Sequence, residues 1–166
     1  MKNMIAVQFR RKRSQATDYR KRFKLLSSGV DRLVVRKTSS QIIVQLAKFA
    51  KDGDRVVVSQ PSNILRKFGW GHGLKNTPAA YLTGYLAGKL AVAKGLKSAI
   101  LDAGSVNPQH RGRIYAALKG AVDAGLSVPC SQDIFPSDER LSGRHISDEV
   151  AVSFSLVKGK IAGGKK

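Results

Sequence analysis

The chain has 166 residues and a formal net charge of +19, because 30 Lys and Arg residues stand against 11 Asp and Glu residues. This length fits one domain, and a hydrophobic content of 42% is enough to build a core. The charge is too large for an ordinary solvated surface, since it repels itself in a compact protein, and it indicates an anionic partner: nucleic acid or a membrane.

Two features argue against the membrane and against secretion. No apolar run approaches the roughly 20 residues that span a bilayer, and residues 1–13 lack the apolar stretch and cleavage site of a secretory signal. The single cysteine, Cys130, excludes an internal disulfide and fits a reducing compartment. We therefore expect a soluble, intracellular protein with a polyanionic partner.

The basic residues concentrate in an N-terminal arm, where eight of them stand against one acid, Asp18. The eight are Arg10, Arg11, Lys12, Arg13, Arg20, Lys21, Arg22 and Lys24. The arm has too few apolar residues to bury a face, and we expect it to form a helical turn or two near Thr17 when bound. Lys and Arg bind phosphates, and Tyr19 and Phe23 suit stacking on unpaired bases. A solvated charged helix and a nuclear-localisation patch are the alternatives.

Three β-strands are predicted after the arm. Arg32–Lys37 and Gln41–Leu46 are rich in β-branched residues, and the polar turn between them indicates a hairpin. An Asp-Gly turn at 52–53 leads into a third strand, Arg55–Ser59. Three sequential antiparallel strands are the simplest interpretation.

The end of this hairpin is a second candidate RNA-binding surface, because its polar side chains offer donors to phosphate and 2′-hydroxyl groups. They belong to Arg36, Lys37, Thr38, Ser39, Ser40, Gln41 and Gln45. An ordinary polar turn is the alternative, and the charge of the chain favours RNA binding.

The glycine-rich stretch from Gly69 to Gly73 has neither of the common nucleotide-binding patterns. We interpret it as a flexible turn in which Trp70 packs on the core or against RNA. Arg66 and Lys67 lie beside it and keep the second possibility open.

A long helix is predicted next, with Thr77 as its N-cap, Pro78 at its first position and Gly95 as its end. Gly84 and Gly88 are four residues apart and share one face of this helix. We expect that face to pack closely on a sheet.

The remaining elements are shorter. Ser98–Asp102 is predicted to be a buried strand, residues 114–122 repeat at helical spacing, and Leu126–Val128 is a candidate last strand. Before the second helix, Arg111 and Arg113 lie where backbone N–H groups favour phosphate. Residues 130–147 show no readable pattern.

The order β-β-β-α-β-α, with an optional last strand, predicts an α/β fold. Within that class we expect a three-layer-like sandwich with a mixed, mostly antiparallel sheet. The chain divides into an arm (1–29), a globular α/β domain (30–150) and a basic Lys/Gly tail (151–166).

Catalysis is the alternative class of function. The three histidines are scattered singly, and the acids show no metal-ligand spacing. A two-metal nuclease needs several convergent carboxylates, for which Asp102 with the distant Asp133 or Asp138 would be the candidates. We interpret Asp102 instead as the cap of a turn before Gly104, and expect no catalytic residue, metal or cofactor.

Many short blocks of the sequence occur in the same order in one known family. They are residues 18–29 (DYRKRFKLLSSG), 32–36 (RLVVR), 52–55 (DGDR), 69–70 (GW), 76–88 (NTPAAYLTGYLAG), 99–104 (AILDAG), 115–126 (YAALKGAVDAGL), 128–129 (VP) and 144–146 (RHI). Together they resemble the large-subunit ribosomal protein L-eighteen family in its archaeal form, over roughly residues 10–150.

The resemblance implies a protein that binds 5S rRNA and joins it to the large-subunit rRNA in the central protuberance, beside other large-subunit ribosomal proteins. It implies RNA contacts by the arm and by the first hairpin. In the hairpin, relatives often have Ser-Asn-Lys-His where this chain has Thr-Ser-Ser-Gln at 38–41.

The function predicted from the sequence is therefore that of a non-enzymatic constituent of the ribosome in the cytoplasm, without membrane contact or homo-oligomer. The predicted RNA-binding residues are Arg10, Arg11, Lys12, Arg13, Tyr19, Arg20, Lys21, Arg22, Lys24, Arg36, Lys37, Thr38, Ser40, Gln45, Arg66, Lys67, Trp70, Arg111 and Arg113. A general, chromatin-like nucleic-acid-binding protein and a metal-dependent nuclease are the alternatives.

Overall fold

A four-stranded mixed sheet lies at the centre of the fold. Its strands are β1 (Arg32–Lys37), β2 (Ile42–Lys48), β3 (Arg55–Pro61) and β4 (Ile100–Asp102). In the sheet they follow the order β3-β2-β1-β4; β2 is antiparallel to β1 and β3, whereas β4 is parallel to β1. The predicted α/β sandwich with a mixed, mostly antiparallel sheet is confirmed.

The computed structural model describes residues 7–163. Within them, the α-helices are α1 (Arg10–Arg13), α2 (Tyr19–Ser27), α3 (Thr77–Ala93), α4 (Arg113–Asp123), α5 (Asp138–Ser142) and α6 (Asp148–Ala162). Two 3₁₀ helices span Ser62–Phe68 and Gln132–Ile134. The segment 130–147, unreadable in the sequence, thus holds one 3₁₀ helix and α5.

One face of the sheet carries the core. Alternate residues of a strand point to the same face, and Leu33 and Val35 of β1 lie beside Val44 and Leu46 of β2, each no more than 1% exposed. Helices α3 and α4 cover this face and pack against each other. The opposite face carries the intervening, more polar positions and faces the N-terminal arm.

Helices α3 and α4 approach until their backbones touch, because small residues face each other. A Cβ added to Gly84 would collide with the carbonyl oxygen of Ala117, and one added to Gly120 would collide with that of Tyr81. A Cβ at Gly88 would lie 2.7 Å from the Cβ of Ala124. The expectation that Gly84 and Gly88 pack on a sheet was wrong: their partner is α4, which is also rich in small residues.

Several boundaries differ from those predicted: β2 and β3 each end two residues later, and β4 begins at Ile100 and not at Ser98. The cap of α3 is Asn76, one residue earlier than the predicted Thr77, because the side-chain oxygen Oδ1 of Asn76 accepts a hydrogen bond of 2.9 Å from the Ala79 amide. The candidate strand Leu126–Val128 is reduced to one isolated bridge between Ser127 and Ser98.

Most of the segment predicted to be a basic tail (151–166) belongs to helix α6. Ser147 caps it, and its apolar residues Val150, Phe154, Val157 and Ile161 are buried against the core. Their spacing of four, three and four residues places them on one helical face. The tail prediction was therefore wrong for residues 151–162, while residues 164–166 lie outside the described residues.

The contact between α3 and α4 yields a test with a matched control. Gly84→Ala should lower the free energy of unfolding by about 3 kcal/mol, because the new methyl group forces the two helices apart. Gly159→Ala, also inside a helix but with open space around its Cβ position, should raise it by about 0.5–1 kcal/mol. Urea unfolding followed by circular dichroism measures both, and equal effects of the two substitutions would contradict the close contact.

Candidate nucleic-acid interface

A cleft of about 510 Å³ lies between the N-terminal arm and the polar face of the sheet. Arm residues and hairpin residues that the sequence assigned to two separate surfaces line it together. From the arm come Arg11, Thr17, Lys21 and Arg22, and from the sheet and hairpin come Arg32, Arg36, Lys37, Thr38 and Gln45. The arm and the first hairpin therefore form one continuous basic surface.

A buried guanidinium organises the floor of this cleft. Arg32 is 3% exposed. Its Nη1 donates to Asp102 Oδ2 at 2.8 Å, and its Nη2 donates to Asp54 Oδ2. The other oxygen of Asp102 accepts a hydrogen bond of 2.8 Å from the Gly104 amide, as predicted for a turn cap. Both carboxylate oxygens of Asp102 are thus engaged within the protein.

Asp54 also receives a second cation, which comes from the arm. The Arg22 guanidinium lies 2.8 Å from Asp54 Oδ2. Partial burial opposes ionisation of this carboxyl, but the hydrogen bonds and charges of Arg22 and Arg32 outweigh it and hold the pKa of Asp54 below its ordinary value of 3.8. Asp54 is therefore ionised at neutral pH, and the two guanidinium groups at its Oδ2 compensate its charge.

Helix α2 has an inner and an outer face. Its N-cap, Asp18, accepts hydrogen bonds from the amides of Arg20 and Lys21 at 3.0 and 3.1 Å. The inner face (Lys21, Arg22, Leu25 and Leu26) is half-buried, and Lys21 Nζ donates to the Gly104 carbonyl at 3.0 Å. Two of the predicted RNA-binding cations thus point toward the body of the protein.

The outer face of α2 consists of two aromatic and two basic residues: Tyr19, Arg20, Phe23 and Lys24. All four are exposed, and Phe23 is 72% exposed. A ring this open has no role in the core, whereas aromatic rings interleaved with cations suit stacking on bases beside phosphates. Before α2, the four consecutive basic residues of α1 are also exposed.

The hairpin turn is closed by its own side chains. Thr38 Oγ1 donates to the Gln41 carbonyl at 2.8 Å and accepts from the Gln41 amide at 3.0 Å. Gln45 Nε2 donates to Ser59 Oγ at 3.0 Å. Thr38 and Gln45 therefore shape the turn, whereas Arg36, Lys37 and the serines at 39 and 40 are exposed.

A second basic cleft, of about 540 Å³, adjoins the first through Lys37, which lines both. It lies at the N-terminal ends of α3 and α4 and includes the predicted residues Arg111 and Arg113. Lys75 and Arg140 also lie in its wall and were not predicted from the sequence. No local pattern marks these two, because they lie in separate segments that only the tertiary fold brings together. Among the described residues that line this cleft, none is acidic.

The predicted contact between Trp70 and RNA was wrong. The Trp70 side chain is 1% exposed, packs in the core and donates from Nε1 to the Gly73 carbonyl at 3.2 Å, so its ring offers no face to RNA. Arg66 and Lys67 are exposed on the neighbouring 3₁₀ helix and line neither cleft.

Within residues 7–163, no group of three or more His, Cys, Asp or Glu side chains is placed to hold a metal ion. Among the helices of the same residues, none is long and apolar enough to cross a membrane.

Comparison with known proteins identifies the family. A family model described as ribosomal large subunit proteins 60S L5 and 50S L18 matches residues 4–98. The large ribosomal subunit protein uL18 of Methanothermobacter thermautotrophicus is 48% identical over 141 residues, which cover 84% of this chain and 73% of that protein. The uL18 proteins of Korarchaeum cryptofilum and Methanosphaera stadtmanae are each 50% identical, covering 85% of this chain and 72% and 73% of theirs.

These relatives are structural proteins of the ribosome and not enzymes, which confirms the prediction of a non-enzymatic chain. The family-model match extends over the arm, strands β1 to β3 and α3, and the aligned relatives extend further along the chain. The chain therefore belongs to the family of ribosomal large-subunit proteins 60S L5 and 50S L18.

Proposed function

We propose that this structural constituent of the large ribosomal subunit binds 5S rRNA and attaches it to the large-subunit rRNA, in the cytoplasm and beside neighbouring ribosomal proteins. The observation that supports this most is the basic cleft that Arg11 of α1 and Lys21 and Arg22 of α2 line together with the first hairpin, next to the exposed outer face of α2. The family membership makes ribosomal RNA the polyanion that such a surface meets.

The surface suits RNA because its acids are neutralised internally. Asp18 caps α2, whereas Asp54 and Asp102 pair with arginines. Their charges therefore repel phosphates weakly, and the exposed Lys and Arg side chains dominate the field outside. Tyr19 and Phe23 add stacking partners for unpaired bases, which distinguish folded RNA with loops from a regular duplex.

The second cleft supports the attachment role. A protein that joins two RNAs needs phosphate-binding groups on more than one surface. Arg111 and Arg113, together with Lys75 and Arg140, supply a second set next to the first. We assign the arm and hairpin to 5S rRNA, and this second cleft to the large-subunit rRNA.

The experiment that tests the proposed function is a competition for the purified protein between 5S rRNA and duplex DNA of equal length. We expect duplex DNA to compete at least 100-fold less well, since specific binding exceeds non-specific binding by roughly 10³ or more in well-studied nucleic-acid complexes. Equal competition would favour the general, chromatin-like alternative.

Affinity for 5S rRNA should depend steeply on salt. The double variant Arg20→Ala, Lys24→Ala should weaken binding and reduce the slope of log affinity against log salt by about 1.4–1.8, because each phosphate contact contributes about 0.7–0.9. The control Lys89→Ala, Lys97→Ala removes the same charge from exposed residues of α3 and the segment after it, outside the arm and the hairpin. Filter binding across a salt series measures both, and equal slopes for the two double variants would contradict the role of the outer face of α2.

Phe23 should contribute by stacking rather than by charge. Phe23→Ala should weaken 5S rRNA binding about tenfold without changing the salt slope, since one base–aromatic stack is worth about 1–3 kcal/mol. The matched control is Phe49→Ala, because Phe49 is also exposed, at 57%, but follows β2 and lies outside the arm. Both variants should melt like the wild type. The same loss of affinity in both would indicate a non-specific effect.

A further inference from the structure

The attachment of α2 to the body of the protein rests on few contacts. None of its residues is fully buried. Its inner face contributes two polar contacts, Arg22 with Asp54 at 2.8 Å and Lys21 Nζ with the Gly104 carbonyl at 3.0 Å. Beside them, Leu25 and Leu26 are only half-buried. The direction in which α2 presents its outer face therefore depends strongly on these two contacts.

Both contacts lead to the same buried group. Asp54 is held by Arg32, and Gly104 is held through its amide by Asp102, which is itself paired with Arg32. Arg32 is 3% exposed and belongs to β1, so it is fixed by the sheet. Arg32 therefore connects β1 to the two groups that α2 contacts, directly to Asp54 and through Asp102 to Gly104. Asp54 is the link that touches both the sheet residue and the arm residue.

We infer that Asp54 is a positioning residue for RNA binding: its carboxylate holds α2 through Arg22, so that Tyr19, Arg20, Phe23 and Lys24 face outward beside the hairpin before RNA arrives. The inference rests on the proposed RNA-binding function. An arm held in its binding orientation loses less conformational entropy on association, which raises affinity.

The sign of the effect separates this role from simple electrostatics. Removing an acid from a protein that binds a polyanion strengthens binding when only charge matters. A positioning role predicts the opposite for Asp54. Asp52 supplies the matched control, because it is an exposed acid in the same turn and makes no ion pair among the described residues.

The test is a double-mutant cycle on the full chain, with affinity for 5S rRNA measured at one salt concentration. Asp54→Asn should weaken binding about tenfold, whereas Asp52→Asn should leave it unchanged or strengthen it. In the background of Arg22→Ala, Asp54→Asn should weaken binding no further, because its partner is already absent. Unchanged or tighter binding by Asp54→Asn would overturn the inference. An equal loss with and without Arg22 would overturn it as well and assign Asp54 to fold stability alone.

A second measurement needs no RNA and covers the case in which Asp54→Asn unfolds the body. Trypsin cleaves after Lys24, and Arg22→Ala breaks the same contact without removing a partner of the buried Arg32. Cleavage after Lys24 should be at least threefold faster in Arg22→Ala than in Arg20→Ala, which removes an outward-facing cation from the same helix. Equal cleavage rates in the two variants would overturn the inference. Failure of the wild-type chain to bind 5S rRNA would overturn the proposed function, but it would not affect this difference in cleavage rate.

Discussion

The backbone contact between α3 and α4 is the constraint on which the rest of the fold depends. Because glycines and alanines let these helices touch, both fit over the same face of a narrow four-stranded sheet. That face becomes an apolar core, and the other face is left to polar residues. Arg32 and Arg36 point there from the same strand that supplies Leu33 and Val35 to the core, so alternation within β1 gives the sheet one apolar face and one face that carries cations.

The buried charge of Arg32 has a second consequence for the surface. A guanidinium removed from water is costly unless it is paired, and here two carboxylates from opposite ends of the sheet supply the pairing. The same carboxylates would repel phosphates if they stood free. One residue thus compensates two of the chain's 11 acidic residues, and both of these line the cleft between the arm and the hairpin.

Local chemistry explains what the sequence could predict. The β-branched runs and the Asp-Gly turn identified the strands, and Pro78 marked the start of α3. The cap was misplaced by one residue because Asn and Thr are both good caps.

The partner of Gly84 and the cleft containing Lys75 and Arg140 depend on tertiary packing, which no local pattern encodes. In α6 the period of Val150, Phe154 and Val157 was present, but the lysines and glycines that follow Val157 resembled a tail. Charge alone could not distinguish the eight basic residues of the arm from one another. Only the structure of α2, which starts after Asp18, shows which of its basic residues lie on the inner face and which on the outer face.

The small number of contacts that hold α2 affects how long the protein survives proteolysis. Segments without buried residues open at a small fraction of the free energy needed to unfold a core, so α2 belongs to the least protected part of the described chain. This segment is also dense in the basic residues at which many proteases cut. A ligand that covers it shifts the equilibrium toward the closed form by mass action. Copies made in excess of their RNA would then be degraded first, and the supply of protein would follow the supply of RNA without a separate regulator.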